Sequence, residues 1–166
     1  MSKRFQRITP FLWFDKQAEE AANFYVSVFP NSRIVATTRY AAASAKASGQ
    51  KEGQVMTVDF LLDGESLTAL NGGPVYHFNE AMSLVVHCKS QEEIDLYWDR
   101  LLDGAADKTG QCGWLKDRYG VSWQVVPDAM IELLTHGDPA SVDRVHAALM
   151  GMQKLDLNEL RRAAAG

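Results

Sequence analysis

Cysteine is scarce in this sequence: 166 residues hold two, Cys88 and Cys112. Two cysteines build no disulfide framework, and neither sits in a Cys-x-x-Cys redox pair or beside a histidine. Cys88 falls inside an apolar run, where a free thiol behaves as a small hydrophobe, so a buried, reduced cysteine is expected. Basic residues are outnumbered, 17 Lys and Arg against 21 Asp and Glu, for a formal charge of −4. No basic cluster interleaves with aromatics, which excludes a nucleic-acid-binding face. Hydrophobic runs are short and none approaches a membrane span. Met1-Ser2-Lys3-Arg4 is followed by an apolar run broken at Pro10, so no signal peptide is expected and the compartment expected is the reducing cytoplasm. Nucleophile motifs are missing too: there is no Gly-x-Ser-x-Gly elbow.

What the sequence does contain, it contains twice. The apolar run from Ile8 to Phe14 leads into a helical pattern ending Phe24-Tyr25, and the run from Met82 to Cys88 leads into one containing Tyr97-Trp98. Tyr25 and Trp98 lie 73 residues apart, whereas Gly64 and Gly120, which open similar stretches, lie 56 apart. The difference of 17 places an insertion in the first copy. The segment from Ala41 to Gly53 suits it: it has no large apolar residue and reads as a long mobile hairpin loop. Internal duplication governs the whole fold expected.

In the first copy, Ala18, Ala21, Ala22, Tyr25, Val28 and Phe29 form one helical stripe over residues 15–29, with Asp15 as N-cap and Pro30-Asn31 as the stop. Strands are expected at Ser32 to Tyr40, Gln54 to Leu62 and Leu67 to Asn71, with Asp63-Gly64 as a tight hairpin. In the second, Ser90-Gln91-Glu92-Glu93 is a capping box for a helix that carries Ile94, Tyr97, Trp98, Leu101 and Leu102 and stops at Gly104. Strands are expected around Asp107 to Gln111, Gly113 to Lys116 and Ser122 to Pro127. Asp117 to Gly120 is a turn, and Asp117-Arg118 reads as a solvated hairpin. The tail reads as helical, with Ser141 capping one helix and Asp156 a second. The fold class expected is α+β: two tandem βαβββ modules, 1–75 and 76–130, forming curved mixed sheets around a cleft, plus a helical tail, 131–166.

Several stretches together resemble the vicinal oxygen chelate superfamily, the glyoxalase/bleomycin-resistance/dioxygenase fold, and within it the PhnB-like branch. They are Ile8-Thr9-Pro10-Phe11-Leu12-Trp13-Phe14-Asp15, Glu20-Ala21-Ala22-Asn23-Phe24-Tyr25, Leu70-Asn71-Gly72-Gly73-Pro74, Phe78-Asn79-Glu80-Ala81-Met82-Ser83, Tyr97-Trp98, Asp117-Arg118-Tyr119-Gly120 and Trp123-Gln124-Val125-Val126-Pro127. They span roughly residues 6 to 130, and the helical tail also resembles that branch. The resemblance implies a cleft between modules, commonly completed by a second copy of the chain. In metal-using members of the superfamily, first- and last-strand side chains of both modules bind one divalent ion. Here those positions fall at Thr68 and Gln124, and, within one residue, at Thr9 and Ser83. Hydroxyls and a carboxamide are poor donors for such an ion, so no metal and no cofactor are expected. Some members of the branch carry a methyltransferase name. Asn71-Gly72-Gly73-Pro74 opens no helix, and no other Gly-rich strand-to-helix turn is present to approach a nucleotide-like ligand.

The candidate ligand-binding residues are therefore Thr9, Trp13, Thr68, Asn71, His77, Ser83 and Gln124. Phe11 shares a strand face with Trp13 and Thr9. Trp123 faces opposite to Gln124 by the period of two and is structural. Trp114 also reads as core. Gln124 inside a strand needs partners, which Thr68, water or a ligand could supply. His87 has no carboxylate spaced with it along the chain. The function expected is binding of an unidentified small molecule by a homodimer, with no nucleic-acid or membrane partner. The alternatives are a metal-dependent lyase, isomerase or dioxygenase with a differently built site, and a regulatory protein acting through its dimer surface.

Overall fold

A computed structural model describes residues 6–166. The Met1-to-Arg4 segment behind the signal-peptide expectation lies outside the described residues. The chain divides into two compact units, one reaching to Phe78 and the other Asn79–Gly166.

The first unit runs β1 (Phe11–Phe14), α1 (Ala18–Val28), β2 (Arg33–Arg39), α2 (Ala42–Ser48), β3 (Val55–Leu62) and β4 (Glu65–Asn71). Its sheet has the order β1-β4-β3-β2, with β1 parallel to β4 and the other pairs antiparallel. The alternation read from the sequence sends Leu12, Phe14, Val58, Phe60, Leu62, Leu67 and Ala69 to one face, all buried. α1 lays its stripe of Ala18, Ala21, Ala22, Tyr25 and Val28 against that face. The Tyr25 and Phe60 rings stack with centroids 6.3 Å apart. Each such large side chain contributes about 1.5–3 kcal/mol by leaving water. Asp63 (φ 46°) and Gly64 (φ 87°) form the two-residue turn between Leu62 and Glu65; positive φ at both positions is what this tight hairpin demands.

Two local expectations fail here. Asp15 does not cap α1: the N-cap is Gln17, without a side-chain bond, and the Ala18 N–H is accepted by Asn71 Oδ1 at 2.8 Å. Asp15 Oδ1 is instead buried, with no hydrogen-bond partner among the described residues. The segment from Ala41 to Gly53 is not a structureless loop, since it contains α2. Alanine is the best helix former, the Ser44 hydroxyl accepts the Ala41 N–H at 3.0 Å, and Gly49 (φ 72°) ends the helix. Ala45 is buried, so the insertion packs.

The second unit runs β5 (Leu84–Cys88), α3 (Gln91–Leu101), β6 (Trp114–Lys116), β7 (Ser122–Pro127), α4 (Asp128–His136), α5 (Pro139–Met150) and α6 (Leu157–Ala165). Its sheet has the order β5-β7-β6, with β5 parallel to β7. The strand expected at Asp107 to Gln111 is not formed; Gln111 makes a single bridge to Trp114. Ile94, Trp98 and Leu101 of α3 are buried on the side of Val86, Cys88, Leu115, Trp123 and Val125. Ser90 caps α3 by accepting the Glu93 N–H at 3.4 Å, while the Glu93 carboxylate takes the Lys89 N–H at 2.7 Å. Cys88 is fully buried, and burial pushes its thiol pKa up to about 12, the inert state expected of it.

Asp117 is no solvated turn residue. It is buried, and its carboxylate accepts the Tyr119 and Val121 N–H groups and the Trp123 indole. Arg118 donates to the Asp103 carbonyl and carboxylate at 2.7 and 2.6 Å, tying down the end of α3. In the tail, Asp138 rather than Ser141 caps α5, accepting from Ala140 and Ser141 at 3.0 Å each. Ser141 lies inside the helix and donates to the Ala164 carbonyl at 3.0 Å. Asp156 caps α6 through the Glu159 N–H at 2.8 Å, as expected. Val126 of β7 shares one core with Met130, Val145, Leu149, Met152, Leu155 and Leu160 of the tail.

Candidate ligand-binding faces

Each sheet covers one face with its helix and bears partly exposed side chains on the other, which in the second unit is covered at Val126 by the C-terminal helices. In the first unit the strand registers place Phe11, Thr68, Asp59 and Ala36 in one lateral row, and Trp13, Leu70, Thr57 and Thr38 in the next. Phe11 is 57% exposed. The Thr68 hydroxyl donates to Asp59 Oδ1 at 2.7 Å. Trp13 donates its indole N–H to the Gly73 carbonyl at 2.9 Å and meets Tyr76 edge to face, ring centroids 5.0 Å apart. Gly72 permits this placement, because a Cβ there would lie 2.2 Å from the Trp13 ring. The Asn71-Gly72-Gly73 sequence thus does three jobs: Asn71 caps α1, Gly72 makes room for the indole, and Gly73 accepts its proton.

The second unit repeats the geometry with other residues. Val85, Gln124 and Trp114 occupy the row that Phe11, Thr68 and Asp59 occupy in the first. Gln124 Nε2 donates to the Ser83 hydroxyl at 2.8 Å. Trp114, expected in the core, is only partly buried on this face, while Trp123 is buried opposite and structural as expected. His87, also on the open face, does have a carboxylate partner: its Nδ1 lies 3.3 Å from Asp128 Oδ1, across the start of α4. Fold, not chain spacing, supplies that pair.

The residues singled out from sequence are placed unequally. Ser83 and Gln124 are in direct contact. Thr68 bonds Asp59, and Thr9, ahead of β1, donates to the Gln6 carbonyl at 3.4 Å. Trp13 and Thr68 share the open face of the first sheet. Asn71 is on the helix-facing side, with both ends of its amide engaged, by Ala18 and by the Val55 carbonyl at 3.0 Å. His77 is exposed in the loop after β4. Sequence reasoning misses Asp59, although a signal for it is present: a lone acidic residue at an alternating position in the middle of Val55–Leu62.

The superfamily's divalent metal does not fit this donor set. Three hydroxyls and one carboxamide offer neither imidazole, thiolate nor ionised oxygen, and Asp59, bonded to Thr68, is a single carboxylate. Among the described residues no three His, Cys, Asp or Glu side chains gather in a ligating group. A separate shallow groove of about 520 Å³ lies along α4 and α6, lined by Ala129, Glu132, Leu133, His136, Gly137 and Arg161.

A strand, a helix and a return to the sheet beside the first strand occur in both units of the chain, the repeated α+β arrangement expected from the sequence. Residues 6–126 match a family model described as 3-demethylubiquinone-9 3-methyltransferase. Among solved structures, a Bacillus cereus protein described as a putative 3-demethylubiquinone-9 3-methyltransferase, PhnB protein, is 37% identical with a TM-score of 0.60, over 74% of this chain and 99% of that one. A Pseudomonas aeruginosa protein is 18% identical with a TM-score of 0.55, over 74% and 98%. A glyoxylase/bleomycin resistance protein/dioxygenase domain from Frankia is 14% identical with a TM-score of 0.46, over 75% and 93%. No curated protein matches the chain. The chain belongs to the family so matched, and the Bacillus cereus PhnB protein carries the same family description. The family match ends at 126, one residue before β7 does, so α4, α5 and α6 lie beyond it. The likeness expected for the tail is therefore not part of that match.

Proposed function

We propose that this is a cytoplasmic small-molecule binding protein whose open sheet faces hold the ligand without a resident metal. The observation that carries this reading is the chemistry at the first- and last-strand positions. Thr68 and Gln124 are the positions to which the resemblance assigns the superfamily's metal ligands, and each is hydrogen-bonded within its own face. Aromatic and hydroxyl side chains around them suit an organic ligand, with apolar contact area and a few placed polar groups. A methyltransferase reading has less support, since the chain has no Gly-rich strand-to-helix turn. The reading includes a homodimer: Ile8, Val75 and Met82 are each more than 60% exposed, apolar surface that a second copy would cover. Among the described residues no helix is long and apolar enough to cross a membrane.

A thermal-shift screen against a metabolite and natural-product library, followed by a co-crystal, tests the binding reading. Metal analysis of protein purified without chelator or added metal tests the rest. Stoichiometric zinc, nickel, manganese or iron would overturn it in favour of a lyase, isomerase or dioxygenase. Light scattering at the 18.4 kDa of one chain would remove the dimer.

A further inference from the structure

Asp59 sits in the middle of β3, on the open face of the first sheet, in a strand flanked by β4 and β2. Aspartate is disfavoured in strand interiors, and a partly buried carboxylate is costly unless its charge is met. The Thr68 hydroxyl donates one hydrogen bond to it. Among the described residues no Lys, Arg or His forms an ion pair with it; Arg33, in register with Leu61 at the start of β2, forms none. The same face exposes aromatic surface at its β1 side, with Phe11 57% and Tyr76 64% exposed. The Trp13 ring beside them is already fixed by Gly72 and the Gly73 carbonyl, so a ligand meeting it loses little side-chain freedom.

We infer that this face binds a flat organic cation, its amine or amidinium on Asp59 and its ring system against Phe11 and Trp13. The inference rests on the binding-protein reading proposed above and gives it a ligand class. Phe11 and Asp59 lie two strands apart in one row, about 10 Å at the usual strand spacing, which is the length of a two- or three-ring molecule. Thr68 lies between them and orients the carboxylate by holding one of its oxygens. Aromatic faces attract cations in their own right, so the wall and the carboxylate select the same charge. An anion of the same shape is repelled by Asp59.

Proflavine, a flat cation at neutral pH, and acridine carboxylate, a flat anion, are the probes, titrated into the full chain by fluorescence polarisation. Proflavine is expected to bind the unaltered protein at least about tenfold more tightly than the anion, and to weaken as salt is added. Asp59→Asn should reduce proflavine affinity about tenfold or more, while Asp63→Asn, at the hairpin turn, should leave it unchanged. Equal affinity of the unaltered protein for both probes, or full proflavine affinity in Asp59→Asn, would overturn the inference. The charge preference and salt dependence are read on unaltered protein, so they decide the matter even where Asp59→Asn does not fold. If neither probe binds but a neutral or anionic library compound does, the cation assignment falls and the binding reading stands. If nothing in the library binds either, both fall.

Discussion

The Asp117 carboxylate accepts the indole N–H of Trp123 at 2.8 Å, and both side chains are buried. Its other oxygen accepts the backbone N–H groups of Tyr119 and Val121, at 2.8 and 3.0 Å. One side chain therefore closes the turn before β7 and fixes the residue next to Gln124. Asp117→Asn replaces an acceptor with an amide that can turn only one oxygen to these donors. We expect a loss of about 1–3 kcal/mol, read as a lower urea midpoint. Trp123→Phe should lose a comparable amount, and the double variant less than the sum, because the pair shares one bond. A midpoint for Asp117→Asn equal to that of the unaltered protein would show that the bond contributes nothing.

Gly72 is the tightest point around Trp13. A methyl group there would fall 2.2 Å from the ring, so Gly72→Ala must displace the indole or the backbone. Overpacking of this kind costs about 1–3 kcal/mol. Gly151→Ala is the control, as its new Cβ meets nothing nearer than 3.5 Å. Gly72→Ala should lower the melting temperature and alter the near-ultraviolet circular dichroism, and Gly151→Ala should do neither. Equal effects from the two would mean that Trp13 is not held in place by Gly72.

Acid should loosen the C-terminal helices. The Ser141 N–H, followed by that of Ala140, holds the Asp138 carboxyl below its ordinary pKa of 3.8. Lys154, at 2.7 Å, holds Asp95 on α3 below the same value. Both folded-state pKa values are depressed, so the stabilisation is present above 3.8 and is lost as pH falls through the lower folded values. Hydrogen exchange in α5 should rise over that window. Asp138→Ser keeps a cap that does not titrate, and its acid loss should be smaller. Superimposable acid profiles for the two proteins would remove Asp138 from the account.

Local patterns carry the sequence reading far where the interactions are local. The α1 stripe, the Asp63-Gly64 turn and the Ser90 cap depend on residues within a few positions, and each stands where its spacing puts it. The four-residue offset from Gly64 and from Gly120 places Thr68 and Gln124 in equivalent strand positions, which the registers bear out. Two of the failures trace to a partner distant in sequence or to a weak local choice. Asn71 caps a helix 53 residues earlier and so displaces Asp15 from that role. α2 is hidden because alanine signals a helix by propensity rather than by an apolar stripe. Asp59 has meaning only once β1, β4 and β3 are laid side by side and its row is seen to be aromatic, hydroxyl and otherwise uncharged.

Gln124 and Ser83 give the sharpest test of the donor chemistry, because they already touch. Gln124→Glu replaces the Nε2 donor with an acceptor, and the Ser83 hydroxyl can reverse to donate, so the bond survives. One carboxylate is too few ligands to hold a divalent ion, so the single variant should show no binding to nickel or zinc by calorimetry. Ser83→His with Gln124→Glu sets an imidazole and a carboxylate side by side, and this double variant should acquire weak affinity for nickel. Extending it with Thr9→His and Thr68→Glu adds the matching pair from the first unit and should tighten binding only if all four positions converge on one ion. Nickel binding by the unaltered protein, abolished in Gln124→Ala, would instead mean that the carboxamide is already a metal ligand and that the metal-free reading is wrong.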